Sequence, residues 1–129
     1  MTPTEMQKRF KAYALRLIRM ASSFPRDPAG DVVSRQLIRC GTSAAANYRA
    51  SCLGRSKKDF VNKLGIVEEE TDETLFWIDL AVDANLRQAL VGELLREGQE
   101  LLRMVIASRK TAKSRRCRGP SDEEPPPES

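Results

Sequence analysis

Histidine is absent from this sequence of 129 residues. Without it there is no Ser-His or Cys-His nucleophile pair, no His-ligated zinc, and no side chain that ordinarily titrates near neutral pH. Aromatic residues make up only 5% of the chain, so its core must be built from Leu, Val, Ile and Ala. The cysteines, Cys40, Cys52 and Cys117, are odd in number and lack metal-ligand spacing. They read as reduced thiols, with Cys40 and Cys52 filling space within a helix. No apolar run approaches the ~18 residues that span a bilayer, and MTPTEMQKRF has no signal-peptide apolar region. The expectation is a cytoplasmic protein with no membrane contact. Ser43, Ser51 and Ser56 have no accompanying base, and neither a Gly-rich phosphate loop nor a paired-carboxylate cleft occurs. No catalytic residue and no cofactor is therefore expected, and the chain does not read as an enzyme.

Charge is abundant and segregated. Residues 1–58 carry 12 Lys/Arg against 3 Asp/Glu, whereas residues 59–108 carry 4 against 11. Residues 109–119 hold six basic residues and no acid, and the last ten hold four acids. A chain polarised in this way offers a basic surface to an anionic partner, unless the acidic block balances the basic one inside the fold or between subunits.

Helical signals run through the sequence. Thr2-Pro3-x-Glu5 reads as an N-cap, a first-turn proline and a capping box. Phe10, Ala14, Leu17, Ala21 and Phe24 then form one apolar stripe, widened by Met6, Tyr13 and Met20, and Pro25 stops the helix. FPRDPAGD is a connection, and Asp31 is the expected cap of a second helix. There Val33, Leu37, Cys40, Ala44, Tyr48 and Ser51 share one side, opposite Arg35, Arg39 and Arg49. Gly54 reads as a C′ residue and Ser56-x-x-Asp59 as the next capping box.

The third helix carries Phe60, Leu64, Val67, Thr71, Leu75, Ile78 and Val82 as its inward stripe. Asn85 suits a left-handed C′ position. The fourth helix buries Val91, Leu94, Leu95, Gly98, Leu101, Leu102 and Val105, then frays into RKTAKSRRCR. Four amphipathic helices with short connections and no period-two alternation give an all-α fold, an antiparallel up-down-up-down four-helix bundle over residues 1–112. Residues 113–129 read as a disordered tail, basic and then acidic and Pro-rich.

Two surfaces stand out. Arg35, Arg39 and Arg49 on one helix face, with Arg55, Lys57 and Lys58 in the adjoining turn, form a candidate nucleic-acid-binding site, since phosphate recognition needs several cations at helix-turn geometry. The bland alternatives are a solvated face, or arginines paired with Glu68, Glu69, Glu70 and Glu73. The patch has no aromatic interleaving, which argues against base stacking. The second surface comprises Ile66, Phe76, Trp77 and Leu80, a candidate oligomer interface on the outer side of the third helix. The carboxylates of residues 68–73 lie on one helix without histidine, so no metal site is expected. Glu68 leans inward, toward an arginine or Asn47.

These residues resemble, over roughly residues 8 to 112, the family of small helical proteins encoded in intervening sequences of bacterial 23S rRNA genes. The specific part is Gln36-Leu37-Ile38-Arg39, Thr42-Ser43 and Ala45-Ala46-Asn47-Tyr48-Arg49. It continues through Arg55-Ser56, Asp59-Phe60, Lys63-Leu64-Gly65-Ile66 and Glu70-Thr71-Asp72-Glu73-Thr74-Leu75 with Trp77. The resemblance implies a four-helix bundle. In members, and in the similar accessory variability proteins of diversity-generating retroelements, it implies a ring-like homopentamer with a positive surface. Those accessory proteins associate with nucleic acid and a reverse transcriptase, whereas most family members have no assigned activity. The basic run and acidic tail after residue 112 depart from that pattern. The combined expectation is a non-catalytic homo-oligomer that binds RNA or DNA without sequence specificity. The alternative is a scaffold module docking an acidic protein partner.

Overall fold

In the computed structural model, which describes residues 1–86 and 91–116, the first helix, α1 (Pro3–Ser22), begins at the expected cap. The Glu5 N–H donates to Thr2 Oγ1 at 3.1 Å and the Thr2 N–H to Glu5 Oε1 at 2.7 Å, closing the box. Its stripe is buried as expected, including Phe24, which folds under just past the helix end.

The second helix, α2 (Pro28–Cys52), starts one turn before the expected Asp31. Asp27 is the cap, accepting from the Gly30 N–H at 2.8 Å, and Pro28 supplies a preset φ to the first turn. Asp31 lies inside that turn, where the positive end of the helix dipole favours a carboxylate. α2 closes at Leu53. Gly54 follows it at the expected C′ position, without a positive φ. A Cβ at Gly54 would lie 3.1 Å from both Asp59 Oδ2 and the Ser51 carbonyl, so the glycine makes room for the tight turn.

The third helix, α3 (Lys57–Asp83), is capped by the Ser56 hydroxyl, which accepts from the Asp59 N–H at 3.1 Å. Asn85, with φ 56°, ends it in the left-handed conformation. The Asn85 and Leu86 N–H groups donate back to Val82 and Ala81, both at 3.0 Å. The buried side of α3 is rotated from the sequence expectation: Val61, Leu64, Val67, Thr71, Thr74, Ile78 and Ala81 face inward, while Phe60, Leu75 and Val82 are half-buried at its edges. Bulk is a poor guide on this helix. Thr71 and Thr74 enter the core cheaply because each hydroxyl donates to a carbonyl of its own helix, Val67 at 2.7 Å and Glu70 at 2.8 Å.

The fourth helix, α4 (Val91–Arg116), buries Val91, Leu94, Leu101 and Val105. Leu95 and Leu102 are half-buried, packed at the margin of the stripe. The helix does not fray at residue 109 and passes residue 112, because its last turns contain no Gly or Pro and their Lys and Arg residues complement the negative end of the dipole. The expected tail therefore overlaps helix up to residue 116. The rest of it, residues 117–129 with Cys117, lies outside the described residues.

Contacts between neighbouring helices run in opposite sequence senses. Phe10 stacks on Tyr48 at 5.2 Å, while a Cβ on Gly41 would come within 2.5 Å of Leu17 Cδ1. Cys40 and Ser43 of α2 meet Thr74 and Glu70 of α3. Leu75 and Gly65 of α3 meet Gly98 and Arg109 of α4: a Cβ on Gly98 would stand 2.7 Å from Leu75 Cδ2. Arg9 and Arg16 of α1 pair with Glu97 and Glu93 of α4. Among the described residues every element is a helix, and none is long and apolar enough to cross a membrane.

Candidate nucleic-acid interface

Between Asp31 and Asp59 the sequence has no acid, so beyond the first turn of α2 every charged side chain of that helix and of the turn after it is basic. Arg35, Arg49, Arg55 and Lys58 are all exposed. None of these four has a carboxylate within ion-pair distance among the described residues. Lys57 is half-buried in the first turn of α3. The acids nearest this turn are occupied. Asp59 pairs with Lys63 at 3.4 Å, and Glu68 pairs with Arg109 at 3.5 Å. The inward-leaning Glu68 thus has the arginine that the sequence calls for, contributed by α4.

Arg39 is different from its neighbours. Its guanidinium is clamped across the α2–α3 seam, donating to Glu70 at 3.3 Å and to Glu73, with Nε held by Gln36 at 2.9 Å. One cation facing two carboxylates leaves that spot net negative, and a phosphate gains nothing there. Set beside Arg35, Arg49, Arg55 and Lys58, Arg39 is the one that meets described carboxylates.

The clamp continues along the seam. Ser43 Oγ donates to Glu70 at 3.2 Å, Asn47 Nδ2 to the Ser43 carbonyl at 2.9 Å, and the Trp77 indole N–H to Glu73 at 3.1 Å. Gln36, Arg39, Ser43, Asn47, Glu70, Glu73 and Trp77 form one connected polar network binding α2 to α3. Helical projection alone places Arg39 on the solvent side and does not show this network. The signal that could find it is register: in an antiparallel pair, the turn of α2 holding Arg39 lies beside the turn of α3 holding Glu70 and Glu73. Replacing Arg39 by Ala is expected to cost stability modestly, about 0.5–1 kcal/mol for a half-exposed pair, and to change polyanion affinity by less than about threefold. A tenfold loss of affinity in a filter-binding assay would return Arg39 to the site.

Ile66, Phe76 and Leu80 are exposed on the outer side of α3, at 41%, 58% and 37%. Trp77 is half-buried, its ring edge-on to Phe76 with centroids 5.0 Å apart. Three of the four residues assigned to an oligomer contact are therefore open to solvent in the single chain, and Trp77 is partly covered by its own network. The Cys40 thiol is buried against Thr74, and burial pushes its pKa up, away from the reactive thiolate.

The sequence model of the family described as 23S rRNA-intervening sequence protein matches residues 4–107. Among solved structures, the chain is similar to a protein of unknown function from the S23 ribosomal protein family of Bacteroides thetaiotaomicron. The two are 25% identical with a TM-score of 0.78, and the match covers 85% of this chain and 99% of the other. No curated protein matches the chain.

Proposed function

The chain belongs to the 23S rRNA-intervening sequence protein family, and from that premise we propose that it is a non-catalytic cytoplasmic oligomer that binds RNA or DNA through the sugar-phosphate backbone. The contacts are Arg35, Arg49, Arg55, Lys57 and Lys58. One observation carries the reading: four exposed cations on α2 and its following turn face no described carboxylate, although α3 beside them is rich in acids. Uncompensated cations at helix-turn geometry suit a phosphate backbone, and Arg adds forked donors. With no aromatic side chain interleaved, the surface reads charge and not bases.

Two features of the assembly belong to the same reading. The opposed contacts between neighbouring helices support an up-down-up-down order. The apolar strip of Ile66, Phe76 and Leu80 supports burial against another copy in a ring-like homo-oligomer, a pentamer by family resemblance. Light scattering on the wild-type chain should give a multiple of 14.5 kDa. Phe76→Asp with Leu80→Asp should bring it to the single-chain mass with helical circular dichroism retained. A wild-type monomer at micromolar concentration would remove the interface.

The binding itself is tested by titrating the protein against unrelated RNA and DNA sequences of equal length at low salt. Affinities within a few-fold of one another are expected. Absence of binding to any of them would leave the rival reading, in which the basic flank docks an acidic protein such as a reverse transcriptase.

A further inference from the structure

α4 runs nine residues beyond the last position matched by the family model, to Arg116. No acid occurs between Glu100 and Asp122, so this added length is purely basic. Its placement is fixed by Arg109. That guanidinium lies over Gly65, where a Cβ would stand 2.9 Å from Nη2. It donates to the Val61 carbonyl at 3.2 Å and pairs with Glu68. α4 is thereby held against the first turns of α3.

Four residues past Arg109 the helix has risen about 6 Å on the same face. Lys113 then stands level with the start of α3 and the turn that carries Arg55 and Lys58. Lys110, Lys113 and Arg115 are exposed, and none has a carboxylate within ion-pair distance among the described residues. Lys110 and Arg115 border an open surface depression with Thr111 and Ser114, while Lys113 lies on the Arg109 side of the helix. The two acids that could screen this end, Asp59 and Glu68, are already engaged by Lys63 and Arg109.

We infer that the last turns of α4 and the α2–α3 turn form one cationic platform, in which Lys110, Lys113 and Arg115 join Arg55 and Lys58 in holding a nucleic-acid phosphate backbone. The platform rests on the polyanion reading above and extends it to a segment outside the family match. Local concentration of charge on two adjoining elements gives more simultaneous phosphate contacts than either supplies, and each contact steepens the salt dependence.

The test compares the full-length wild type with Lys110→Glu/Lys113→Glu and with Arg96→Glu/Arg103→Glu on a duplex of unrelated sequence across a salt series. The second pair carries the same change in net charge elsewhere on α4. Lys110→Glu/Lys113→Glu should reduce the log–log salt slope by roughly 1.8 and affinity at 0.1 M salt by roughly 60-fold. Arg96→Glu/Arg103→Glu should change affinity by less than about fivefold. If the Lys110/Lys113 pair binds like wild type while reversal at Arg49, Arg55 and Lys58 abolishes binding, the platform is overturned and the α2 site stands. Equal losses from both α4 pairs would mean a net-charge effect, and would overturn it as well. A wild-type chain with no salt-dependent binding would remove both the platform and the reading beneath it.

Discussion

Simultaneous reversal of Arg35, Arg49, Arg55 and Lys58 to Glu is expected to lower affinity for duplex nucleic acid by roughly three orders of magnitude at 0.1 M salt. The size follows from counterion release: each phosphate neutralised contributes about 0.9 to the log–log salt slope, so four lost contacts remove roughly 3.6. Fold stability should change little. All four side chains are exposed, and no described carboxylate is left unpaired by their loss. Circular dichroism and thermal melting of the variant should overlay the wild type to within a few degrees. Retained affinity in a well-folded quadruple variant would place the site elsewhere on the molecule.

The second large effect concerns packing, at Gly98. This residue lies in the buried stripe of α4, where a Cβ would stand 2.3 Å from Tyr13 Oη and 2.7 Å from Leu75 Cδ2. α1, α3 and α4 all converge there. In an open helix, Gly→Ala gains about 1 kcal/mol of propensity, but overpacking a core typically costs about 1–3 kcal/mol. A contact of 2.3 Å against a rigid ring puts Gly98→Ala at the upper end, for a net loss of about 2 kcal/mol.

Tyr13 supplies the control. Its ring is buried and its hydroxyl has no hydrogen-bond partner among the described residues, while burial pushes the phenol pKa up. Removing that hydroxyl relieves an unpaired buried polar group, so Tyr13→Phe should be neutral or stabilising by about 1 kcal/mol. It also removes the atom nearest a methyl group at position 98, leaving Leu75 Cδ2, the end of a flexible side chain, as the closest neighbour. The double variant should recover at least about 1 kcal/mol beyond the sum of the singles, as touching residues do in a double-mutant cycle. Strict additivity in chemical denaturation would contradict the close approach of α1 and α4 at this level.

Much of the fold is legible in the sequence because helix ends and stripes are local. Thr2, Glu5, Ser56 and Asn85 each act within a few residues, and each does what its type and position imply. Asp27 is harder to see because two aspartates flank the same connection, and the choice between them depends on where Pro28 lets the first turn form. The rotation of α3 is hidden for a different reason. Thr74 and Ala81 are buried, and Thr74 meets Cys40 of α2, a partner that the pattern of bulky apolar residues along α3 does not show.

The candidate site is legible as charge, and pairing with Glu70 and Glu73 is legible as an alternative, but which arginine takes it is not. Arg35, Arg39 and Arg49 look alike on a helical projection, yet of the three only Arg39 meets described carboxylates, because Glu70 and Glu73 are brought to it by the register of α2 against α3. Arg109 reads as part of a fraying end for a similar reason. Its anchor consists of a glycine, a carbonyl and Glu68, all some forty or more residues away.

The most direct measurement is the salt dependence of binding by the unmodified chain to a duplex of arbitrary sequence. Five contacts on α2 and its turn set a log–log slope near about −4.5, and the end of α4 makes it steeper. A slope of about −4 or beyond, unchanged when the sequence is scrambled, is the expected result. A slope shallower than about −1 would mean that fewer than two phosphates are held, and the uncovered flank would not be a polyanion surface.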